Sequence, residues 1–410
     1  MNVRQAEEYL LGLELFGMRF GLDRMHKLTT LLGLPQRRFA SIHVVGTNGK
    51  SSTTRMTAAI LERHGLRTGV YTSPHLRAFP ERIEVAGRRI TDEAFADAVE
   101  TAQHAAELVN RTLDDGDEVT QFEALTAAAF HALATAGVEL AVIEAGLGGR
   151  YDGTNVIPSK VQVLTSVGLD HTRWLGDTIG EIAAEKLAVV RDHATLVVSP
   201  DLPPEAEHVV DEVVAERYAR LVRAERDLGL PLAARGGFQR HNFAIAAAAA
   251  EAFLERPLET EALREAAATV TIPGRMEVVA EAPMVIFDGA HNGAGMAALA
   301  DSLLEVTGGR PLTAVISILG DKDADAMLGA LLPSVEHVVF TRTGNPRTLS
   351  PESLADLSGR DDAVIVDDPK AALEHAKQLA GADGAVLATG SIYLIADLVR
   401  EPGMARASMI

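Results

Sequence analysis

Cysteine is absent from the chain. Its absence excludes disulfides and thiolate metal sites and fits a reducing compartment. Basic residues are in deficit: 38 lysines and arginines stand against 57 aspartates and glutamates, a formal charge of −19. A chain this acidic repels nucleic acid and anionic membranes on average, while leaving room for a local basic pocket around an anionic ligand. No secretory leader is expected at the N-terminus either. Met1 to Phe16 carries Glu7, Glu8 and Glu14 among its apolar residues instead of a basic start and an apolar core. The most apolar stretch, Phe243 to Leu254, is interrupted by Glu251 and is too short to span a bilayer. These absences predict a soluble cytoplasmic protein with no nucleic-acid or membrane partner.

At 410 residues the chain exceeds one ordinary core, which predicts two domains. Its 47% hydrophobic and 23% charged residues are normal for a globular protein. Short apolar runs at Ile42–Val45, Gly69–Thr72, Leu140–Ile143, Val161–Val167 and Thr195–Val198 read as buried strands. Helical patterns such as Ser51–His64, Asp92–Val109 and Phe122–Ala136 lie between them, the alternation of a mainly parallel sheet covered by helices. Turn residues at Thr271-Ile272-Pro273-Gly274 mark a boundary after the helical pattern Leu258–Ala268. The alternation then restarts with Met284–Phe287, Thr313–Ile318, His337–Thr341, Ala363–Val366 and Ala385–Ala388. The expected fold class is therefore α/β: a P-loop domain over 1–272 with a mainly parallel sheet, and a smaller Rossmann-like α/β domain over 273–410.

Ile42 to Val45 leads into Gly46-Thr47-Asn48-Gly49-Lys50-Ser51-Ser52: a strand, a glycine-containing turn and a helix start. Glycines let backbone N–H groups close around phosphate oxygens, and the helix N-terminus adds its positive end. Lys50 is placed to reach the β- and γ-phosphates, and a hydroxyl from Ser51 or Ser52 to bind Mg²⁺. An ordinary strand-to-helix turn is the plain alternative; the strand before and the helix after weigh against it. The usual P-loop has a glycine six positions before its lysine, where Val44 stands here. That disfavours a standard GTPase or kinase and points to a variant loop.

Leu140 to Ile143 ends in Glu144 and is followed by Gly146-Leu147-Gly148-Gly149-Arg150. A second strand that delivers an acid to Mg²⁺ at the sheet's carboxyl edge suits Glu144, and the glycines let a ligand approach the backbone. The next strand ends at Asp170-His171. His171 is a candidate ligand for a second Mg²⁺, although that ion prefers oxygen and a structural histidine is an equal reading. Lys186, in the helical stretch Ile179–Val190, reads by itself as a solvated helix lysine.

Taken together, these motifs resemble the folylpolyglutamate synthase and dihydrofolate synthase group of the Mur ligase superfamily, nearly end to end. Gly46–Ser52 resembles that family's G-T-N-G-K-G-S loop, with Ser51 in place of a glycine. Ser73-Pro74-His75-Leu76 followed by Glu81-Arg82-Ile83 resembles its S-P-H-L…E-R-I segment, with Pro80 where an asparagine is common. Phe122-Glu123 with Thr126, and Glu144 to Asn155, are similar to F-E-x-x-T and E-V-G-L-G-G-R-x-D-A-T-N, with Ala145 and Gly153 substituted. Asp170-His171 through Leu175-Gly176 and Glu185-Lys186 follows D-H-x-x-x-L-G…E-K, while Gln239 and Asn242 match a motif whose histidine is Phe238 here. Pro273-Gly274-Arg275, Asp288-Gly289-Ala290-His291-Asn292, Asp321-Lys322-Asp323 and Thr389-Gly390-Ser391 resemble later signatures.

The resemblance implies an ATP-dependent ligase that joins L-glutamate to a folate or to dihydropteroate through an acyl phosphate, and that acts as a monomer. It implies that Ser52, Ser73, Glu144 and His171 hold two Mg²⁺ ions. It implies that Lys186 is carbamylated and supplies an anionic oxygen, and that Asn242, Arg275, Asp288 and His291 join the loop on ATP. It implies that Asp321 and Lys322 help place the amino acid. The helix after Glu185-Lys186 continues as Leu187-Ala188 where the family has A-G, and the stretch from Val198 to Gly237 is short, predicting the loss of an edge hairpin. Other readings are a nucleotide-dependent switch, and a cell-wall Mur ligase acting on a UDP-linked precursor. The latter generally carry a nucleotide-sugar domain before the P-loop, and only 45 residues precede Gly46.

Overall fold

The computed structural model describes residues 1–13 and 21–400. Glu14 to Phe16, the end of the stretch read for a leader, lie outside the described residues. An N-terminal unit carries eight strands: β1 Ala40–Val45, β2 Thr68–Tyr71, β3 Ile83–Val85, β4 Arg88–Arg89, β5 Leu140–Glu144, β6 Val161–Leu164, β7 Thr195–Val198 and β8 Arg220–Arg223. Their order is β4-β3-β2-β5-β1-β6-β7-β8, parallel from β2 through β8. The β3–β4 hairpin at one edge is antiparallel and was not expected. Its turn, Ala86-Gly87, holds both residues at positive φ, the mirror-image geometry that matches strand twist. At the other edge β8 pairs with β7, and no hairpin follows it among the described residues.

The central strands are buried on both faces, which is why they read as unbroken apolar runs. Helices Lys50–Arg63 and Gly237–Leu254 cover one face, packing Met56, Ile60, Phe243 and Ile245 against Ile42, Val44 and Val142. Helices Asp92–Asn110 and Gln121–Thr135 cover the other through Phe95, Val99, Leu125 and Phe130. Burying each such side chain stabilises the fold by about 1.5–3 kcal/mol before entropy is counted.

The C-terminal unit holds β9 Glu277–Glu281, β10 Met284–Phe287, β11 Leu312–Ile316, β12 His337–Phe340, β13 Val364–Ile365 and β14 Ala385–Thr389. The order is β13-β12-β11-β14-β10-β9, with β9 alone antiparallel. The apolar pattern misses β9, because this edge strand leaves Ala280 and Glu281 in solvent. Helices Gly293–Thr307 and Ala324–Leu331 cover one face, Pro369–Ala380 and Ile392–Val399 the other. Between the units, Arg240 pairs with Glu305 through two hydrogen bonds of 2.7 and 2.9 Å, and Gly237 N–H donates to Ser302 Oγ at 3.1 Å.

Candidate active site

The loop after β1 is shaped by the backbone at Gly49, which caps the helix Lys50–Arg63 at φ +84°. A Cβ there would also meet the Asn242 amide oxygen at 2.5 Å, so both the left-handed conformation and the approach of Asn242 require glycine. Asn242 is buried on the helix Gly237–Leu254 and donates to Gln239 Oε1 at 3.0 Å. The segment following β6 braces the loop. Thr165 Oγ1 donates to the Asn48 carbonyl at 2.6 Å, Asn48 N–H to Ser166 Oγ at 2.9 Å, and Gly168 N–H to Thr47 Oγ1 at 3.0 Å. The strand expected to reach Val167 ends at Leu164, because the next residues bond the loop instead of continuing the ladder.

Two lysines converge on this loop. Lys50 Nζ donates to the Gly46 and Thr47 carbonyls at 3.0 and 3.1 Å, and Lys186 Nζ donates to the same Gly46 carbonyl at 3.0 Å. Lys186 is 3% exposed, not the solvated lysine that helical periodicity suggests. A Cβ on Gly149 would meet the Glu185 carbonyl oxygen at 2.8 Å, so this glycine lets the helix Ile179–Leu187 press against the turn. Arg150 N–H, donating to the Glu185 carbonyl at 3.0 Å, fixes the contact. Glycines read as an opening for a ligand thus serve packing at Gly149. Burial lowers the pKa of both lysines; that of Lys186 falls to about 7, with the nearby charge of Lys50 adding to the effect.

Glu144 ends β5 and is buried with two serines. The Ser51 hydroxyl donates to Oε1 at 2.9 Å and the Ser73 N–H to Oε2 at 3.1 Å. Burial raises the pKa of this carboxyl, while Lys50 opposes the rise. Of the two hydroxyls that follow Lys50, Ser51's meets Glu144; Ser52 is buried one residue further along the helix.

Asp170, which has no role in the motif reading, is a hub. Its Oδ1 accepts from Lys322 Nζ at 2.6 Å and from the His171 N–H at 2.9 Å. Its Oδ2 accepts from Asn292 Nδ2 at 3.1 Å and lies 3.6 Å from His291 Nε2. Burial opposes the charge, but His291, His171 and Lys322 overcome it and hold the carboxyl well below the usual carboxylate range. The His171 backbone sits at φ +52°, and burial draws its imidazole down to about 4, hence neutral at physiological pH. Asn48 and Asn292 exchange amide hydrogen bonds of 3.1 and 3.0 Å, and Asn292 also caps the helix Gly293–Thr307. His291, Asn292 and Lys322 of the C-terminal unit therefore close onto Asn48 and Asp170 of the N-terminal one.

This closure has a measurable consequence. Asp170→Asn leaves the buried Lys322 ammonium with only the more distant and more exposed Asp321 carboxylate, 3.9 Å away, and should destabilise the protein by about 3 kcal/mol at neutral pH. Because the folded pKa is depressed, the contribution is present above the unfolded value near 3.9 and is lost as pH falls from there toward the folded value. Denaturant midpoints for wild type and variant should converge on acidification below about pH 4. Equal midpoints at neutral pH remove Asp170 as the link between the units.

Asp288, after β10, accepts from the Met276 and Ala290 N–H groups at 2.9 and 2.8 Å, tying the turn at Arg275 to the Gly289–Asn292 loop. Burial raises the pKa of Asp288, and the charge of Arg275 opposes that. Arg275 Nη1 is buried with no hydrogen-bond partner among the described residues. Asp321 lies 3.9 Å from Lys322 Nζ and 3.6 Å from Arg347 Nη1, so both members of the expected amino-acid pair are already engaged in ion pairs. Asp170 and Asn292 stand inside motifs read for their histidine neighbours. Thr165 and Ser166 carry no signal beyond their place at a strand end.

The chain matches the models of the Mur ligase middle domain over residues 44–213 and of the Mur ligase glutamate ligase domain over 274–392. It is 37% identical to dihydrofolate synthase/folylpolyglutamate synthase of Mycobacterium tuberculosis, over 82% of this chain and 77% of that one. It superposes with a TM-score of 0.91 on Mycobacterium tuberculosis folylpolyglutamate synthase complexed with ADP, at 33% identity, covering 98% of this chain and 99% of that one. A bifunctional folylpolyglutamate synthase/dihydrofolate synthase with Mn, AMPPNP and L-glutamate bound superposes at 0.84, with 30% identity and 97% of each chain covered. In sequence and in fold the chain belongs to the folylpolyglutamate synthase/dihydrofolate synthase family of the Mur ligase superfamily.

Proposed function

We propose that the protein joins L-glutamate to a folate, to dihydropteroate or to both, forming ADP through an acyl phosphate, with its site between a unit over 1–272 and one over 273–410. The observation that carries this reading is the closure of His291, Asn292 and Lys322 onto the loop at Asn48 and Asp170. A nucleotide switch needs no such groups from a second fold; a ligase, which must exclude water from an acyl phosphate, does.

The residues fit ATP. Loop residues Gly46 to Ser52 cradle the phosphates, with Asn242, Asp288 and His291 beside them, and the unpartnered Arg275 Nη1 is a donor awaiting an anion. They also fit hard cations. Glu144 with the Ser51, Ser52 and Ser73 hydroxyls provides oxygen donors for one Mg²⁺, and His171 with a carbamylated Lys186 provides donors for a second. Among the described residues no three His, Asp or Glu side chains cluster as a ready-made metal site, so hydroxyl and phosphate oxygens complete the shell. The ions neutralise charge between triphosphate and carboxylate.

The reaction begins with transfer of ATP's γ-phosphate to the acceptor carboxylate; the glutamate amine then attacks the acyl carbon and phosphate leaves. Both first reactants are anionic, so the charges of Lys50 and Arg275 lower the first barrier. Asp288 positions Arg275 through the backbone of its turn. Asp321 and Lys322 lie where the amino acid is placed, Lys322 also holding the units together. We assign a monomer in the cytoplasm with small-molecule partners only; no described helix is long and apolar enough to cross a membrane.

ADP release should depend on both glutamate and a folate or dihydropteroate acceptor, and assay with each acceptor separates the two activities. Arg275→Ala should raise the KM for ATP or lower kcat by roughly 100-fold, a loss on the order of 3 kcal/mol. Asp288→Ala should follow it through the displaced turn. ATP turnover indifferent to glutamate, or wild-type ATP kinetics in both variants, would defeat the proposal.

A further inference from the structure

The mechanism leaves a fully buried cation, Arg82, unused. Arg82 closes the short 3-10 turn Phe79–Arg82 and is 1% exposed, among the largest fully buried side chains of the protein. Its Nε donates to His75 Nδ1 at 3.0 Å, and its guanidinium carbon lies 5.4 Å from the centre of the Phe79 ring. Among the described residues neither Nη1 nor Nη2 has a partner at full hydrogen-bond geometry, although the Tyr71 phenol bears on the guanidinium. Among the described residues no carboxylate pairs with it. Glu81 next in sequence spends its oxygens on the N–H groups of Leu76, Arg77 and Ala78. Glu144, whose charge acts on Arg82, is held by Ser51 and Ser73. A buried guanidinium with N–H bonds left unsatisfied is costly, and folded proteins rarely keep one without a ligand to complete it.

Its position names that ligand. Arg82 belongs to the segment that begins at Ser73 and includes Leu76, which packs into the apolar cluster of Val285, Phe287 and Ile395 in the C-terminal unit. Tyr393 of that unit is close enough for its phenol to bear on Arg82, and the Tyr393 hydroxyl, on which Arg347 also bears, is buried with no partner at full hydrogen-bond geometry among the described residues. Polar groups of both units therefore bear on Arg82, close to Glu144.

We propose that Arg82, assisted by the Tyr393 hydroxyl, is the docking group for a substrate carboxylate at the junction of the two units. A planar guanidinium presents two parallel donors to a carboxylate, a match that a lysine cannot supply. Both substrates of the proposed ligation carry the group: the incoming amino acid through its α-carboxylate, the acceptor through the carboxylate to be activated. The site is closed in this structure, so the carboxylate enters while the units are apart and is enclosed when Tyr393 returns. The inference rests on the ligase reading, and the test separates the two.

Glutamate, acceptor and ATP are varied in turn with wild type, Arg82→Gln and Arg82→Lys. Wild-type turnover that requires both substrates upholds the ligase reading whatever Arg82 does. In Arg82→Gln the KM for one carboxylate substrate should rise roughly 10- to 100-fold, with the KM for ATP within about twofold of wild type. A rise confined to glutamate, accompanied by loss of the enzyme's preference for glutamate over its α-amide, assigns the amino acid. A rise confined to the acceptor assigns the acceptor. Arg82→Lys should fall between, keeping charge without the fork. Unchanged KM values for both substrates, or an equal rise in all three, overturn the proposal and leave Arg82 structural. Should Arg82→Gln fail to fold, Tyr393→Phe, which removes only a hydroxyl, decides by the same readout: a raised KM for one carboxylate substrate supports the site, and no change overturns it.

Discussion

Lys50→Ala should abolish ligation and leave the fold intact. The Lys50 ammonium is held by the Gly46 and Thr47 carbonyls, and burial lowers its pKa, so the protein carries this charge at some cost. Removing it frees two loop carbonyls to bond water or the neighbouring Lys186, and the core of Met56 and Ile60 behind it is untouched. The catalytic loss is of another order. Phosphoryl transfer between two anions relies on preorganised positive charge, and loss of such a group costs roughly 10²- to 10³-fold in rate, about 3–4 kcal/mol. Circular dichroism and thermal melting should match wild type while ADP formation disappears. An activity within about tenfold of wild type would take Lys50 away from the transferred phosphate.

Much of this arrangement was legible in the sequence, because parallel strands buried on both faces leave unbroken apolar runs and their carboxyl ends deliver polar residues in register. β1 and β5 pair Val44 with Glu144, so the strand that leads into the Gly46–Ser52 loop and the strand that ends in the acid are neighbours. Their motifs lie nearly a hundred residues apart in the chain and side by side in the sheet. What escaped reading has a physical pattern. β4 and β9 are edge strands with exposed residues, and β3 beside β4 is three residues long, so their apolar signal is weak. Asp170 escaped because its partners come from the other unit: Lys322 is 152 residues away and Asn292 is 122. Periodicity reports the face a residue occupies, not which distant side chain meets it.

The same limit misplaces Lys186. Helical spacing puts it on a face that reads as solvated, yet the turn at Gly149 covers that face and leaves the lysine 3% exposed against the Gly46–Ser52 loop. Two ammonium groups, those of Lys50 and Lys186, then share the Gly46 carbonyl at 3.0 Å each. That is an unfavourable pairing in a buried site, and burial with the charge of Lys50 brings Lys186 to about 7. Near neutral pH a large share of the amine is therefore unprotonated, and the unprotonated amine is the form that adds to CO₂. The nitrogen bonds the carbon of CO₂ and loses a proton, turning a repelled cation into an anionic oxygen donor and reversing the sign of its interaction with a bound divalent ion. Lys186→Ala should consequently lose at least about 100-fold in activity while melting like wild type, and short carboxylic acids added to it should restore part of the rate by supplying the missing oxygens. Lys186→Arg should stay inactive despite its similar length, since it keeps the positive charge and forms no carbamate. Extra density on the Lys186 amine in a crystal grown with nucleotide and metal is the direct observation. Wild-type activity in Lys186→Arg would end the carbamate assignment, and the second cation would then have to be held by His171 and phosphate oxygens without Lys186.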